Sequence, residues 1–343
     1  QSGLIGAIAI ILIAHVISIT TGLSISSIAT DKKIKVGGIY YILSRSLGLP
    51  MGGAIGITIF IGTSLSIALY LVGFAENFLG IEAIRTFLGL GTEATDIRIV
   101  GTGAILFLVL LAFISTSFAI KSQYVILGAI ALSLVSILVG FVTHGDASSQ
   151  TLLMQPVRDS LPFETVFAIF FPAVTGFTAG VAMSGDLTDP KKTIPKGTLW
   201  AIGVGLITYI GLAIAIAFYA DRDSLLNDYN FLMKVAMWAP LVVAGIWGAT
   251  LSSALGGILG APRILQAIAR DRIFPRFFGK GYGESNEPRN ALLLTFLIAE
   301  AGILIGELDV IARVVSMFYI AAYGFINLAY ALENWASTDF RPS

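Results

Sequence analysis

The residues best suited to chemistry in this chain are uncharged oxygen donors lying in apolar surroundings. In ATLSSALGGIL, residues 249 to 259, Ser252 and Ser253 stand one turn after Ala249. Two hydroxyls and a main-chain carbonyl at that spacing supply three legs of a site for a small hard cation, since such ions take oxygen ligands. Either serine can instead bond back to its own helix. Gly245, Ala249, Ser253 and Gly257 also form a stripe of small residues, the pattern that lets membrane helices approach closely. A second candidate is FETVFAIFFPAVTGFTAGVAMSGDL, residues 163 to 187, with Pro172 at its middle and Gly176 and Gly180 beyond. Proline has no N–H, so the carbonyl of Ala168 loses its helical partner, and the glycines make unwinding easier. Unwound carbonyls offer ligands to a cation, while the amides of Gly176, Phe177 and Thr178 present the positive end of a helix dipole to an anion. The alternative is a kinked packing helix. Tyr70 and Tyr323 are phenols set deep in apolar segments, where a hydroxyl needs a partner. Asn327, one turn after Tyr323, is either such a partner or a join between helices. Glu300 is the one carboxylate well inside an apolar segment, towards its outer end, where a functional and a solvated role both fit. His15 reads as a packing histidine.

These residues need elements to hold them, and composition says which kind. Of 343 residues 56% are apolar and 12% charged, about half the charge of a soluble chain. The 21 basic and 21 acidic residues cancel, which removes the footprint of a nucleic-acid binder. With no cysteine there are no disulfides or thiolate metal sites, and two histidines argue against zinc. No cofactor is expected. No phosphate-binding loop, HExxH or nucleophile elbow is present, so the chain is not read as an enzyme.

A helix needs about 20 apolar residues to cross a bilayer. Nine segments qualify: 3–29, 52–78, 99–120, 122–143, 163–185, 197–220, 238–262, 290–306 and 310–332. The third and fourth are separated by a short polar turn at Lys121 to Gln123. Between the first two, GGIYYILSRSLG has the amphipathic pattern of an interfacial helix. All the basic residues except Arg85, Arg98, Arg158, Arg222, Lys234 and Arg313 fall on one side, which makes that side and the C-terminus cytoplasmic. Gln1 then starts outside, and a further span is expected before it.

The phrases GGIYYILSRSLG, FAIFFPAVTGFTAGVAMSGDLTDPKKTIPKGT, ATLSSALGGILGAPRILQAIARD and AAYGFINLA resemble those of the cation-chloride cotransporters, within the amino acid, polyamine and organocation superfamily. The resemblance implies an all-α, leucine-transporter-like fold of two inverted repeats. This chain would supply helices 2 to 10 of one transmembrane domain (1–343), with helices 2 to 5 in 1–143 and 6 to 10 in 163–332. It further implies a potassium site at Tyr70, Pro172 and Thr175, and a sodium site at Ala249, Ser252 and Ser253. One chloride site would be made by the backbone of Gly176, Phe177 and Thr178 with the Tyr323 hydroxyl. The paired serines and Tyr70 together are similar to the sodium-potassium-chloride branch. Its members carry Na+, K+ and Cl− in electroneutral symport across the cell membrane, and are homodimers when complete. The resemblance implies, too, that these nine helices do not transport without the first. The acid and proline pattern near residue 189 is shared with amino acid permeases, so a permease is the alternative, as is a cotransporter of chloride with sodium or potassium alone.

Overall fold

A computed structural model describes residues 2–31, 37–114, 116–144, 160–182, 189–220, 225, 230–283 and 286–336. Several residues used above to set orientation (Gln1, Lys32, Lys33, Lys35, Arg158, Arg222 and Arg341) lie outside these, as do residues 183–188 after the broken helix. Among the described residues there is no strand, only an isolated bridge between Tyr282 and Glu287. The fold is the all-α membrane fold expected.

Thirteen α-helices are named here in chain order: α1 (Gly3–Asp31), α2 (Ile39–Ser46), α3 (Leu49–Leu79), α4 (Glu82–Leu88), α5 (Ala94–Ile114), α6 (Thr116–His144), α7 (Phe163–Phe170), α8 (Thr178–Ala182), α9 (Pro190–Tyr219), α10 (Phe231–Val235), α11 (Ala239–Arg270), α12 (Arg289–Ile305) and α13 (Leu308–Ala336). Seven of them are long and apolar enough to cross a membrane: α1, α3, α5, α6, α9, α11 and α13. The two other expected spans differ for physical reasons. One, α12, is a 17-residue helix ended by Gly306 in the left-handed conformation. The other is interrupted at Pro172.

The turn expected at Lys121 to Gln123 is not there. Helix α5 ends at Ile114 and α6 starts at Thr116, so residues 121 to 123 are helical. Lysine and glutamine are good helix formers, and the polarity of Gln123 marks where the helix meets Ser252, not where it ends.

The most buried long helix is α3, which packs against α2, α5, α11, α12 and α13. On the outside, α1 and α9 run along each other. The short helix α2 lies in the expected place, with Arg45 exposed. Ile39, Tyr40, Ile42, Leu43 and Ser44 are all buried, and the helix is wedged against α3, α13 and α11. Gly37 and Gly38 precede it at φ 102° and 49°, a region that favours glycine. The Tyr40 hydroxyl donates to Asp271 Oδ2 at 2.7 Å, tying α2 to the end of α11. Burial, reinforced by that carboxylate, pushes the Tyr40 phenol up, so it stays a donor across the physiological range.

Candidate functional site

The interrupted helix carries the site. Helix α7 passes at Phe171 into a single 3-10 turn, Phe171–Val174, and α-helical geometry resumes at Thr178. In hydrocarbon the groups freed by such a break must find partners in the protein, and here hydroxyls from three other helices supply them. Ser316 of α13 donates to the Ala168 carbonyl, the one that Pro172 leaves without its amide. Tyr209 of α9 donates to Ala173 O at 2.9 Å and Ser18 of α1 to Val174 O at 2.9 Å. Tyr323 of α13 donates to Thr175 O at 3.0 Å. Within the break, the Thr175 amide and hydroxyl both donate to Pro172 O, and the Thr178 amide and hydroxyl both donate to Thr175 O.

The consequence is an imbalance of donors over acceptors. The carbonyls of Pro172 and Thr175 already accept at least two hydrogen bonds each, and a carbonyl has two lone pairs. The Thr178 amide is engaged at 3.3 Å with Thr175 O. By contrast, the amides of Gly176 and Phe177 donate to no acceptor among the described residues. The break is therefore better prepared, as it stands, for an anion at those two amides than for a cation at its carbonyls.

Beside the break lies a cavity of about 340 Å³. Its polar lining is Thr63, Ser66 and Tyr70 from α3, Gln123 from α6, Ser252 and Ser253 from α11, Tyr319 from α13, and Gly176 and Thr178. Among the described residues, no charged side chain lines it. The Tyr70 hydroxyl has no hydrogen-bond partner among the described residues. Tyr319 donates to Thr63 Oγ1 at 3.3 Å, and the Ser252 hydroxyl donates to Gln123 Oε1.

Of the ten residues expected at ion sites, the cavity gathers Tyr70, Gly176, Thr178, Ser252 and Ser253. Pro172, Thr175, Phe177, Ala249 and Tyr323 do not line it. Thr175 and Tyr323 are each 1% exposed and hold the break from behind, with the Tyr323 ring against Phe171 and Phe177. Phe177 borders a second cavity of about 180 Å³, with His15 and Tyr209. Ala249 lies inside the unbroken helix α11.

Sequence reasoning missed Thr63, Ser66, Gln123 and Tyr319. Three of them were legible: Thr63, Ser66 and Tyr70 share a helix face by spacing, and Tyr319 is one turn before Tyr323. Gln123 was hidden by the misplaced turn. The small-residue stripe of α11 permits close packing. A Cβ on Gly245 would stand 2.5 Å from Ser133 Cβ of α6, and one on Gly257 would stand 2.6 Å from Ile67 Cγ1 of α3, so these glycines permit close packing. Ser252, Ser253 and Gly256 line the cavity, and so does Gly257.

Three other singled-out residues lie away from the cavity. Asn327 joins α13 to α1, accepting from Ser24 at 2.8 Å and donating to Thr21 at 3.3 Å. His15 donates through Nδ1 to Ile11 O at 2.8 Å. Glu300 accepts from Thr102 of α5 at 2.6 Å. No cluster of histidine, aspartate and glutamate suited to a metal occurs among the described residues.

A broken helix beside a cavity within a bundle of apolar spans is the pattern that points to a transporter's binding site, and comparison with known proteins places the chain in such a family. Residues 1–343 match the amino acid permease family throughout. Solute carrier family 12 member 2 of Mus musculus is 36% identical over 395 aligned residues, which take in 100% of this chain and 33% of that protein. The Squalus acanthias protein of the same name is 36% identical over 391 residues, covering 98% and 33%. Solute carrier family 12 member 1 of Mus musculus is 34% identical over 397 residues, covering 100% and 36%. The chain thus spans about a third of the length of these relatives. It belongs to the amino acid permease family, in the cation-chloride cotransporter group whose phrases it carries. It is an integral, multi-pass membrane protein of a family of transporters, not of enzymes.

Proposed function

We propose that this chain forms the ion-translocating core of a cotransporter that carries Na+, K+ and Cl− together by alternating access. The observation that carries this reading is the cavity itself: hydroxyls, a carboxamide and the unpaired amide of Gly176 converge on one space, with no charged side chain among its described lining residues. Such a lining offers oxygen to cations and N–H to anions, and ions of both signs held together leave little net charge to bury.

In this reading Tyr70, with Pro172 and Thr175, holds potassium, and Ala249, Ser252 and Ser253 hold sodium. The amides of Gly176, Phe177 and Thr178 and the hydroxyl of Tyr323 hold chloride. Because Tyr323 donates to Thr175 O, an arriving chloride that accepts its hydrogen bond withdraws one of that carbonyl's three donors, and the two from Thr178 remain. That exchange links the two sites chemically. Each elementary charge crossing the membrane is worth about 2.3 kcal/mol per 100 mV. One sodium, one potassium and two chlorides cancel that term, so sodium entry drives the others. The two halves, 1–143 and 163–332, act as inverted repeats, and the C-terminus is cytoplasmic in the cell-surface membrane.

The test is ion dependence in the native protein. Tyr70→Phe is expected to raise the half-saturating potassium concentration and Ser252→Ala with Ser253→Ala the half-saturating sodium, each leaving the other cation near native. Unchanged values in both variants would remove the site assignment.

A further inference from the structure

We infer that Gln123 is a positioning residue for sodium: it takes the hydroxyl proton of Ser252 and thereby turns that oxygen's lone pairs toward the cavity. The inference rests on the sodium reading of Ser252 and Ser253 given above.

A serine or threonine hydroxyl has one proton and two lone pairs. In most of this molecule's helices the proton goes backward along the helix. Thr250, two residues before Ser252, donates to Ile246 O at 2.8 Å, and Ser64 donates to Phe60 O at 2.8 Å. A hydroxyl held this way lies against its own backbone. Ser252 departs from the pattern, because its proton goes across to Gln123 Oε1 on the neighbouring helix. Both residues line the cavity, and with the proton committed to Gln123 the Ser252 oxygen acts toward an entering ion as an acceptor only.

The packing of α6 on α11 explains how a glutamine comes to be there. Gly245 meets Ser133, Gly248 meets Ile126, and Ser252 meets Gln123. Numbers rise along one helix as they fall along the other, so the two run antiparallel with one register over this length. A Cβ on Gly248 would stand 3.1 Å from Ile126 Cγ2. The glycines therefore set the helix separation that lets a side chain of glutamine's length reach Ser252. Packing and ion binding are two parts of one seam.

The experiment measures rubidium uptake by the native protein in liposomes, titrating sodium and rubidium separately, for Gln123→Leu, Gln123→Met, Gln123→Glu and Ser252→Ala. Size-exclusion profile and thermal midpoint serve as controls for folding. The two apolar variants are expected to raise half-saturating sodium roughly three- to tenfold, the worth of one hydrogen bond, with half-saturating rubidium near native. Gln123→Glu, whose carboxylate accepts the same proton, is expected to keep sodium dependence near native. The inference is overturned, with the sodium site intact, if Ser252→Ala raises half-saturating sodium while the apolar variants do not. It is overturned as well if sodium and rubidium shift together, or if Gln123→Glu behaves like Gln123→Leu, because packing alone would do that. If none of the four variants moves sodium, the sodium site itself falls and the inference with it.

Discussion

Gly176 and Gly180 in the broken helix, and Gly245 and Gly257 in α11, are the same residue type in spans of similar composition, yet their surroundings differ in kind. A Cβ on either of the first two would meet nothing within 4 Å. On either of the second two it would run into Ser133 or Ile67. In the first region glycine leaves a backbone bare beside a cavity, so that amides face whatever enters. In the second it removes bulk so that two helices touch, and the contact fixes side chains such as Gln123. A transporter needs both: a backbone that exposes polar groups where ions pass, and a rigid seam against which those groups are positioned. Glycine content alone does not separate the roles, but the neighbours of each Cβ do.

The comparison can be broken most forcefully at the seam. Gly245→Val is expected to lower stability by roughly 1–3 kcal/mol, the cost of overpacking, read as a fall in the thermal midpoint of the purified protein. Gly176→Val should stay within about 0.5 kcal/mol of native while impairing chloride-dependent uptake. Equal losses of stability at the two positions would erase the distinction. Next in size is Ser316→Ala, which leaves the Ala168 carbonyl unpaired away from water and is expected to cost about 1–3 kcal/mol. Such a loss shows that the break is held by its hydroxyl ties and is not merely tolerated. Tyr323→Phe should cost less, about 0.5–1.5 kcal/mol, because Thr175 O keeps two donors from Thr178. Its clearer signature is a higher half-saturating chloride concentration, and an unchanged value would detach Tyr323 from the chloride site.

Much of this arrangement is legible in the residues. The spans follow from hydropathy, and the break at Pro172 follows from the missing amide of proline. The partner of the orphaned Ala168 carbonyl does not: Ser316 is 148 residues away, and only the packing of α13 against α7 brings it there. The carbonyls of Pro172 and Thr175 are instead filled locally, each by the amide and hydroxyl of the threonine three residues on. Local spacing does show that Thr63 and Ser66 share a face with Tyr70. Gln123 was lost because polarity at a span's edge reads equally as a turn or as a contact, and the contact, with Ser252, is made across two helices.

Coupled occupancy of the cavity is the central claim, and rubidium uptake by the native protein in liposomes tests it most directly. Uptake is measured with sodium and chloride present and again with either one replaced by an impermeant ion. The account predicts that removing either ion abolishes uptake. Uptake that persists without sodium or without chloride would contradict it.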